Sequence, residues 1–291
     1  DSHLKPIKGY LQIAQIVVYV IAAVLIIAAL IDKSPVILLS GIGAMGAVTL
    51  LVFQDTILSF VASIQLSSND MIRVGDWIEM PQLNADGEVI DMALHTVRVQ
   101  NWDKTITTIP TKRLISDSFK NWRGMQDSGG RRIKRSLFID QTSIDFLSEA
   151  QIQSLKKLSL LGDYLDSKQA EIDDWNRALI AQGKDPMNTR QLTNIGTFRA
   201  YVLNYLKHHP KIHQGMTLMV RQLSPTPQGL PLEVYCFTND IRWEVYEGIQ
   251  SDLFDHLYAV LSRFDLHVFQ ETSGQDIRAS IAALSGSGIE R

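Results

Sequence analysis

His208, His209 and His213 form the only histidine cluster in the chain, and imidazole is a common metal ligand. Metal centres usually add cysteines or carboxylates at defined spacing. Nothing nearby supplies them, so a solvated helix end and loop accounts better for the three. Ser128-Gly129-Gly130-Arg131-Arg132 has glycines and guanidinium groups that could grip a phosphate. It lacks phosphate-loop spacing and reads as a flexible joint entering a basic strand. Lys112, Arg113, Lys120, Arg123, Arg131, Arg132, Lys134 and Arg135 make a basic run with the charge to meet nucleic acid. The run follows a membrane-type segment, and the intervening strands carry no clear row of stacking aromatics. A solvated rim or contact with anionic lipid therefore fits better, and no nucleic-acid partner is expected. No Ser-His-Asp set, glycine-rich nucleotide loop or paired-carboxylate signature can be assigned. The expectation is a non-enzyme with no cofactor and no metal site.

What remains to explain is what the apolar helices enclose. Mean hydropathy is near zero, but the average hides a partition. Residues 11–66 are overwhelmingly apolar, while nearly all charge lies after Asp70. Net charge of −3 gives no bulk attraction to polyanions. Cys236 is the single cysteine, which rules out an internal disulfide and fits a reducing compartment. With no initiator Met and no signal-peptide layout, the sequence reads as the C-terminal part of a longer protein.

Residues 11–31 are long and apolar enough to cross a bilayer, for which a helix needs roughly 20 residues. Asp32-Lys33-Ser34-Pro35 predicts a tight turn, with Pro35 suited to open the next helix. Residues 36–53 are a second span, so a transmembrane helical hairpin is expected. Ser40, Gly41, Gly43, Ala44, Gly46 and Ala47 put small side chains around most of its circumference. In lipid, helices associate by close approach, which small residues permit. Such a helix suits a ring of identical helices around a hole. After Phe53 the pattern becomes amphipathic, with Ile57, Phe60, Val61 and Ile64 at helical spacing. Asp55 could cap a new helix there, which predicts a bend at Gln54-Asp55; one straight helix with a polar spot is the alternative. Lys5, Lys8 and Arg73 flank one end and Lys33 the other, which places the polar domain in the cytoplasm.

Residues 71–110 read as short strands: 72–80, a turn at Asp86-Gly87, then 88–90, 96–100, a turn at 102–104 and 105–110. Four or five strands in about 40 residues predict a small barrel. Farther on, 133–139, 218–223 and 232–237 read as strands. Residues 148–161 and 245–264 read as helices, the second with Leu253, Leu257, Val260, Leu261 and Phe264 on one face. Mixed elements of this kind predict a separate α+β domain. A polar helical stretch at about 163–204 looks inserted. The expected organisation is 1–70 transmembrane and pore helices, 71–125 β-barrel, 126–284 α+β cytoplasmic domain, and 285–291 a disordered tail.

Together these features resemble the small-conductance mechanosensitive channel family (MscS-like). Ile72-Arg73-Val74-Gly75-Asp76-Trp77-Ile78 looks like the family's entry into its β-barrel, which is Sm-like. Glu88-Val89 and Thr96-Val97-Arg98 look like its next strands. Thr108-Ile109-Pro110-Thr111-Lys112-Arg113-Leu114-Ile115 with Asn121-Trp122 is similar to its closing motif. The insertion, with Phe53-Gln54-Asp55-Thr56-Ile57-Leu58, looks like the larger miniconductance (YbdG-like) branch. The resemblance implies a homoheptamer in a bacterial inner membrane, passing ions and small osmolytes when tension opens it during hypoosmotic stress. It implies a pore lined by Gly43, Ala47, Leu51 and Gln54, with Gly41, Ala44 and Gly46 as packing positions and lipid as the surrounding partner. Ala47 and Leu51 fall where the family narrows its pore with two leucines, and Asp55 stands at its kink glycine. Thr111 stands where an asparagine is usual. The rival expectation is a membrane-anchored oligomeric sensor or scaffold whose insertion, around Trp175, binds a cytoplasmic partner.

Overall fold

The computed structural model describes residues 7–271 together with 274, 277 and 278. The expected disordered tail lies outside the described residues. The chain divides into two compact units, 1–123 and 124–291.

In the first unit, α1 (Ile7–Leu30) and α2 (Pro35–Ser68) form the expected hairpin. Ser34 caps α2 by accepting from the Val36 backbone N–H at 3.3 Å, and Pro35 occupies the first turn, where a missing N–H costs nothing. Asp32 takes a left-handed conformation (φ 50°) that reverses the chain. Both helices leave their apolar side chains largely uncovered, Ala28 being a buried exception. Asn69 caps the far end of α2, and the Met71 N–H closes the turn on the Leu66 carbonyl at 3.1 Å.

There follow β1 (Trp77–Met80), β2 (Ala85–Met92), β3 (Thr96–Asn101), β4 (Ile106–Pro110), the short α3 (Arg113–Ser116) and β5 (Lys120–Asn121). The strands make one antiparallel sheet ordered β4-β3-β2-β1-β5, curved by an irregularity in register between Val89 and Asp91. Alternation in β1 to β4 sends Ile78, Met80, Val89, Val97, Val99 and Ile109 inward, where Leu66 and Leu114 join them.

Two sequence expectations change here. Residues 72–76 are not strand but an entry turn, with Gly75 at φ 93°. Asp86-Gly87 is not a turn but lies inside β2, paired with Glu79 and Ile78. The reversal is made instead by a 3₁₀ turn at Pro81–Leu83 and by Asn84, at φ 53°. Gly87 is required for another reason. A Cβ there would fall 1.9 Å from the Gln100 carbonyl oxygen of β3, a backbone atom that cannot step aside. Gly87→Ala is therefore expected to destabilise the protein by about 1–3 kcal/mol through overpacking, read as a lowered thermal midpoint of the detergent-solubilised chain.

After α4 (Arg123–Ser128), the second unit holds β6 (Arg131–Ile139), α5 (Glu149–Leu155), α6 (Gly162–Ala181), α7 (Asn194–His208), β7 (Met219–Gln222), β8 (Leu230–Thr238) and α8 (Trp243–Val260). The sheet is antiparallel, ordered β6-β8-β7. Its inner face (Ile133, Leu137, Val234, Cys236) shares one core with α7 and α8. Leu253, Leu257, Val260, Leu261 and Phe264 are all buried there, as the helical spacing predicts. Ser148 and Gln151 form a reciprocal capping box that starts α5. That helix stops at Leu155 rather than continuing to 161, because tight turns at 158 and 161 redirect the chain and bury Leu161 beneath α6. The polar stretch at 163–204 is not a single unit. Its first part is α6, but its last part begins α7, whose Ile195, Phe198, Tyr201 and Val202 are core side chains.

Candidate functional site

Helix α2 carries the residues singled out above. At about 100° per residue, Gly43, Ala47, Leu51 and Gln54 fall on one stripe. Roughly a third of the circumference away lies an apolar groove of about 650 Å³ lined by Ile42, Met45, Gly46, Thr49, Leu50 and Phe53 and continuing to Ile57. The packing position Gly46 is thus on the groove side. At Gly41, Gly43 and Gly46 an added Cβ would meet nothing within 4 Å, so these surfaces are open in a single chain. Leu51 is 71% exposed. A leucine so uncovered on a helix this apolar calls for lipid or further copies of the helix around it. The hydroxyls of Ser40 and Thr49 bond back to the Val36 and Met45 carbonyls at 2.8 and 2.9 Å, so neither needs water.

The polar positions at the expected bend behave differently from expectation. The helix runs without a break through Gln54 and Asp55, so no orphan N–H groups exist there for Asp55 to cap. Its carboxylate instead accepts from Lys112 Nζ at 2.7 Å, tying mid-α2 to the threshold of α3. Asp55 is 80% and Lys112 38% exposed at the side chain, so water screens the pair. Lys112→Ala is accordingly expected to cost no more than ~1 kcal/mol, seen in chemical denaturation at low salt and vanishing at high salt. Below Asp55 the helix changes surroundings. Ser59, Ala62 and Leu66 are buried, and Leu66 enters the β core.

The junction between α2 and the sheet is held by a network that sequence reading missed. Asp76 is 7% exposed. Its carboxylate accepts from Arg123 Nε at 2.9 Å, from Asn121 Nδ2 at 2.9 Å and from the Arg73 N–H at 2.8 Å, and it pairs closely with Arg123 Nη2. Arg123 Nη1 also donates to the Asp70 carbonyl at 3.1 Å, and Arg73 Nε to the Asp70 carboxylate at 2.6 Å. Burial works to raise the Asp76 carboxyl, but the hydrogen bonds from Arg123, Asn121 and Arg73 outweigh it and hold the group below the ordinary carboxylate value. The available signal was a carboxylate interrupting an apolar alternation just after Gly75.

The other candidates are dispersed. His208 Nδ1 lies 2.8 Å from the Asn204 carbonyl, the His209 ring packs 5.5 Å from Tyr205, and His213 reaches the Phe237 carbonyl through its backbone. Among the described residues no three metal-ligating side chains come together. Arg131 lies over the Tyr246 and Trp243 rings and Arg132 over Tyr235, so aromatic faces engage these guanidinium groups. Arg113 and Lys120 pair with Asp117 and Glu79, each at 2.6 Å.

Comparison with known proteins places this geometry. Residues 55–124 match the family model "Mechanosensitive ion channel, beta-domain", and residues 193–268 match "Mechanosensitive ion channel MscS, C-terminal". An uncharacterized MscS family protein of Helicobacter pylori is 20% identical over 233 residues, covering 79% of this chain and 33% of the relative. The small-conductance mechanosensitive channel MscMJ of Methanocaldococcus jannaschii is 29% identical over 122 residues, 42% of this chain and 33% of the relative. The chain thus spans about a third of the length of these curated relatives. The cryo-EM structure of Arabidopsis thaliana MSL1 shares the fold, with a TM-score of 0.56 at 12% identity, over 91% of this chain and 76% of that one. Together the two family matches take in half of the 291 residues, one on each compact unit. The order and placement of both domains make this chain a member of the MscS-like mechanosensitive ion channel family.

Proposed function

We propose that copies of this chain assemble as a homoheptamer around a shared axis, with Gly43, Ala47, Leu51 and Gln54 of each α2 facing the hole. The observation that carries this reading is the change of surroundings along α2. Its apolar side chains are open as far as Phe53, whereas below it one face (Ser59, Ala62 and Leu66) is packed by protein and the opposite face (Ile57, Phe60, Val61 and Ile64) stays open. A ring closed by head-to-tail contacts lets the stripe face the axis while Gly41, Ala44 and Gly46 admit neighbouring helices. Leu51 is then the narrowest point, and a narrow apolar throat expels water and blocks ions without a plug. Tension favours the state of larger in-plane area, so tilting α1 with α2 opens the throat. Any flexing at Gln54 and Asp55 takes place within intact helix.

On this reading the protein sits in a bacterial inner membrane with both compact units continuing into the cytoplasm, and it releases ions and small osmolytes under hypoosmotic stress. The stretch containing α6, together with residues 53–58, supports placement in the miniconductance branch. Patch recording on membranes containing the protein is the test. Stepwise currents that rise with applied suction are expected. Absence of any tension-dependent current, or a monomeric mass for the detergent-solubilised protein, overturns the proposal.

A further inference from the structure

Two surfaces of the C-terminal unit have no part in the pore. The first is the outer side of α6. Leu165 and Ile172 anchor that helix to the core, while the helix as a whole carries five acidic side chains against two basic ones. Asp163 and Asp173 stand on its solvent side. Trp175 and Ile180 at its far end are 55% and 52% exposed, and Met187, in the chain returning from it, is 94% exposed. Asp166, Glu171 and Asp174 pair with Lys156, Lys168 and Arg177, and Arg190 lies 5.5 Å over the Trp175 ring, so Asp173, Ile180 and Met187 are what this end offers as a contact surface.

The second surface is the outer face of the β6-β8-β7 sheet. Ile133, Leu137 and Ile139 point into the core, so Arg132, Lys134, Ser136 and Phe138 point away from it. Register sets Arg132 opposite Phe237 and Lys134 opposite Tyr235. Arg132 lies 5.9 Å over the Tyr235 ring, and Lys134 is exposed. Phe138 and Met219, at 38% and 37% exposure, extend the apolar part. This face is basic and aromatic where α6 is acidic and apolar. Both surfaces rest on the same core cluster and turn outward from it, which keeps one copy from bringing its own pair together.

We propose that the acidic side of α6 in one copy docks on the outer face of the β6-β8-β7 sheet in a second copy of this chain. This rests on the ring reading above and names a contact between neighbours. A chain that carries both halves of a complementary pair meets its neighbour head to tail, the arrangement that closes a ring. Opposite charge at the rim fixes register and partner choice, and the apolar side chains supply the buried contact.

The test uses the full chain in detergent, with Asp173→Cys and Lys134→Cys combined and treated with a short bis-maleimide. Cys236 is buried, and burial pushes its thiol up to about 12, so it stays silent. A second pair, Trp175→Cys with Arg132→Cys, covers a shift of register. The proposal expects a ladder of covalent oligomers from at least one pair and only single-chain bands from each lone cysteine. If neither pair gives a ladder while the native mass is oligomeric, the docking is overturned and the ring stands. Cross-links confined within one chain, or lone-cysteine variants that link to their own kind, overturn it equally. A monomeric native mass overturns the docking together with the ring.

Discussion

Leu51→Ser is expected to leave the channel conducting at rest and to lower the tension it needs, seen as patch current without suction and as arrested growth on expression. The argument starts from a single side chain. In the proposed ring, a leucine at the throat contributes roughly 2 kcal/mol of apolar transfer free energy, and a serine hydroxyl removes that and also holds water. In a symmetric ring the exchange is repeated in every copy at the same level, so small terms add at the one place where drying blocks the path. Ala47 contributes little to such a barrier because its side chain is a single methyl, which leaves Leu51 as the dominant position. Phe53→Ser is the informative control, since Phe53 lies on the groove side of α2. Leakage from Leu51→Ser with a tight Phe53→Ser places the stripe as drawn here. The reverse result shifts the register and overturns the assignment of Leu51.

Asp76→Ala carries the largest expected loss of stability. Deleting one partner of a buried ion pair costs about 3–5 kcal/mol where the remaining charge has no other partner. Here Arg123 keeps the Asp70 carboxylate at 3.2 Å and its carbonyl at 3.1 Å, so the loss falls toward the lower end of that range, while the Asn121 amide and the Arg73 N–H lose the acceptor they share in Asp76. Asp76→Asn keeps an acceptor and the shape but not the charge, so it should fall between wild type and alanine. Denaturant titration of the full protein, followed by tryptophan fluorescence from the nearby Trp77 and Trp122, measures both. The same carboxylate sets an acid limit. Its folded pKa lies below the unfolded value, so its contribution is complete above the ordinary carboxylate range and is lost as pH falls through the folded value. Wild type should therefore weaken below about pH 4 more steeply than Asp76→Asn, and equal slopes would remove Asp76 from the account.

The hairpin was legible because length, apolar composition and Ser34-Pro35 all act locally. The five-stranded unit was legible in outline from alternation, yet its first reversal was misplaced. Asp86-Gly87 has the composition of a turn, but the glycine answers to the Gln100 backbone on a neighbouring strand, a contact no local pattern reports. Asp55 failed as a cap for a similar reason, since its partner Lys112 lies 57 positions away. Composition likewise joined the polar α6 to the first turns of α7, although Phe198 and Val202 show where the core resumes. The Asp76 network drew on Asp70, Arg73, Asn121 and Arg123, which converge only once the sheet has formed.

The 34 residues of α2 make a rod of about 51 Å, whereas the oily interior of a bilayer is only ~30 Å deep. Some 20 Å must project beyond it, and that projecting part ends with Leu66 wedged in the β core. With no joint along its length, the rod transmits motion as a lever does. Whatever swings its far end also drags the five-stranded sheet, so in the proposed ring the stiffness of that sheet sets part of the force needed to open the throat.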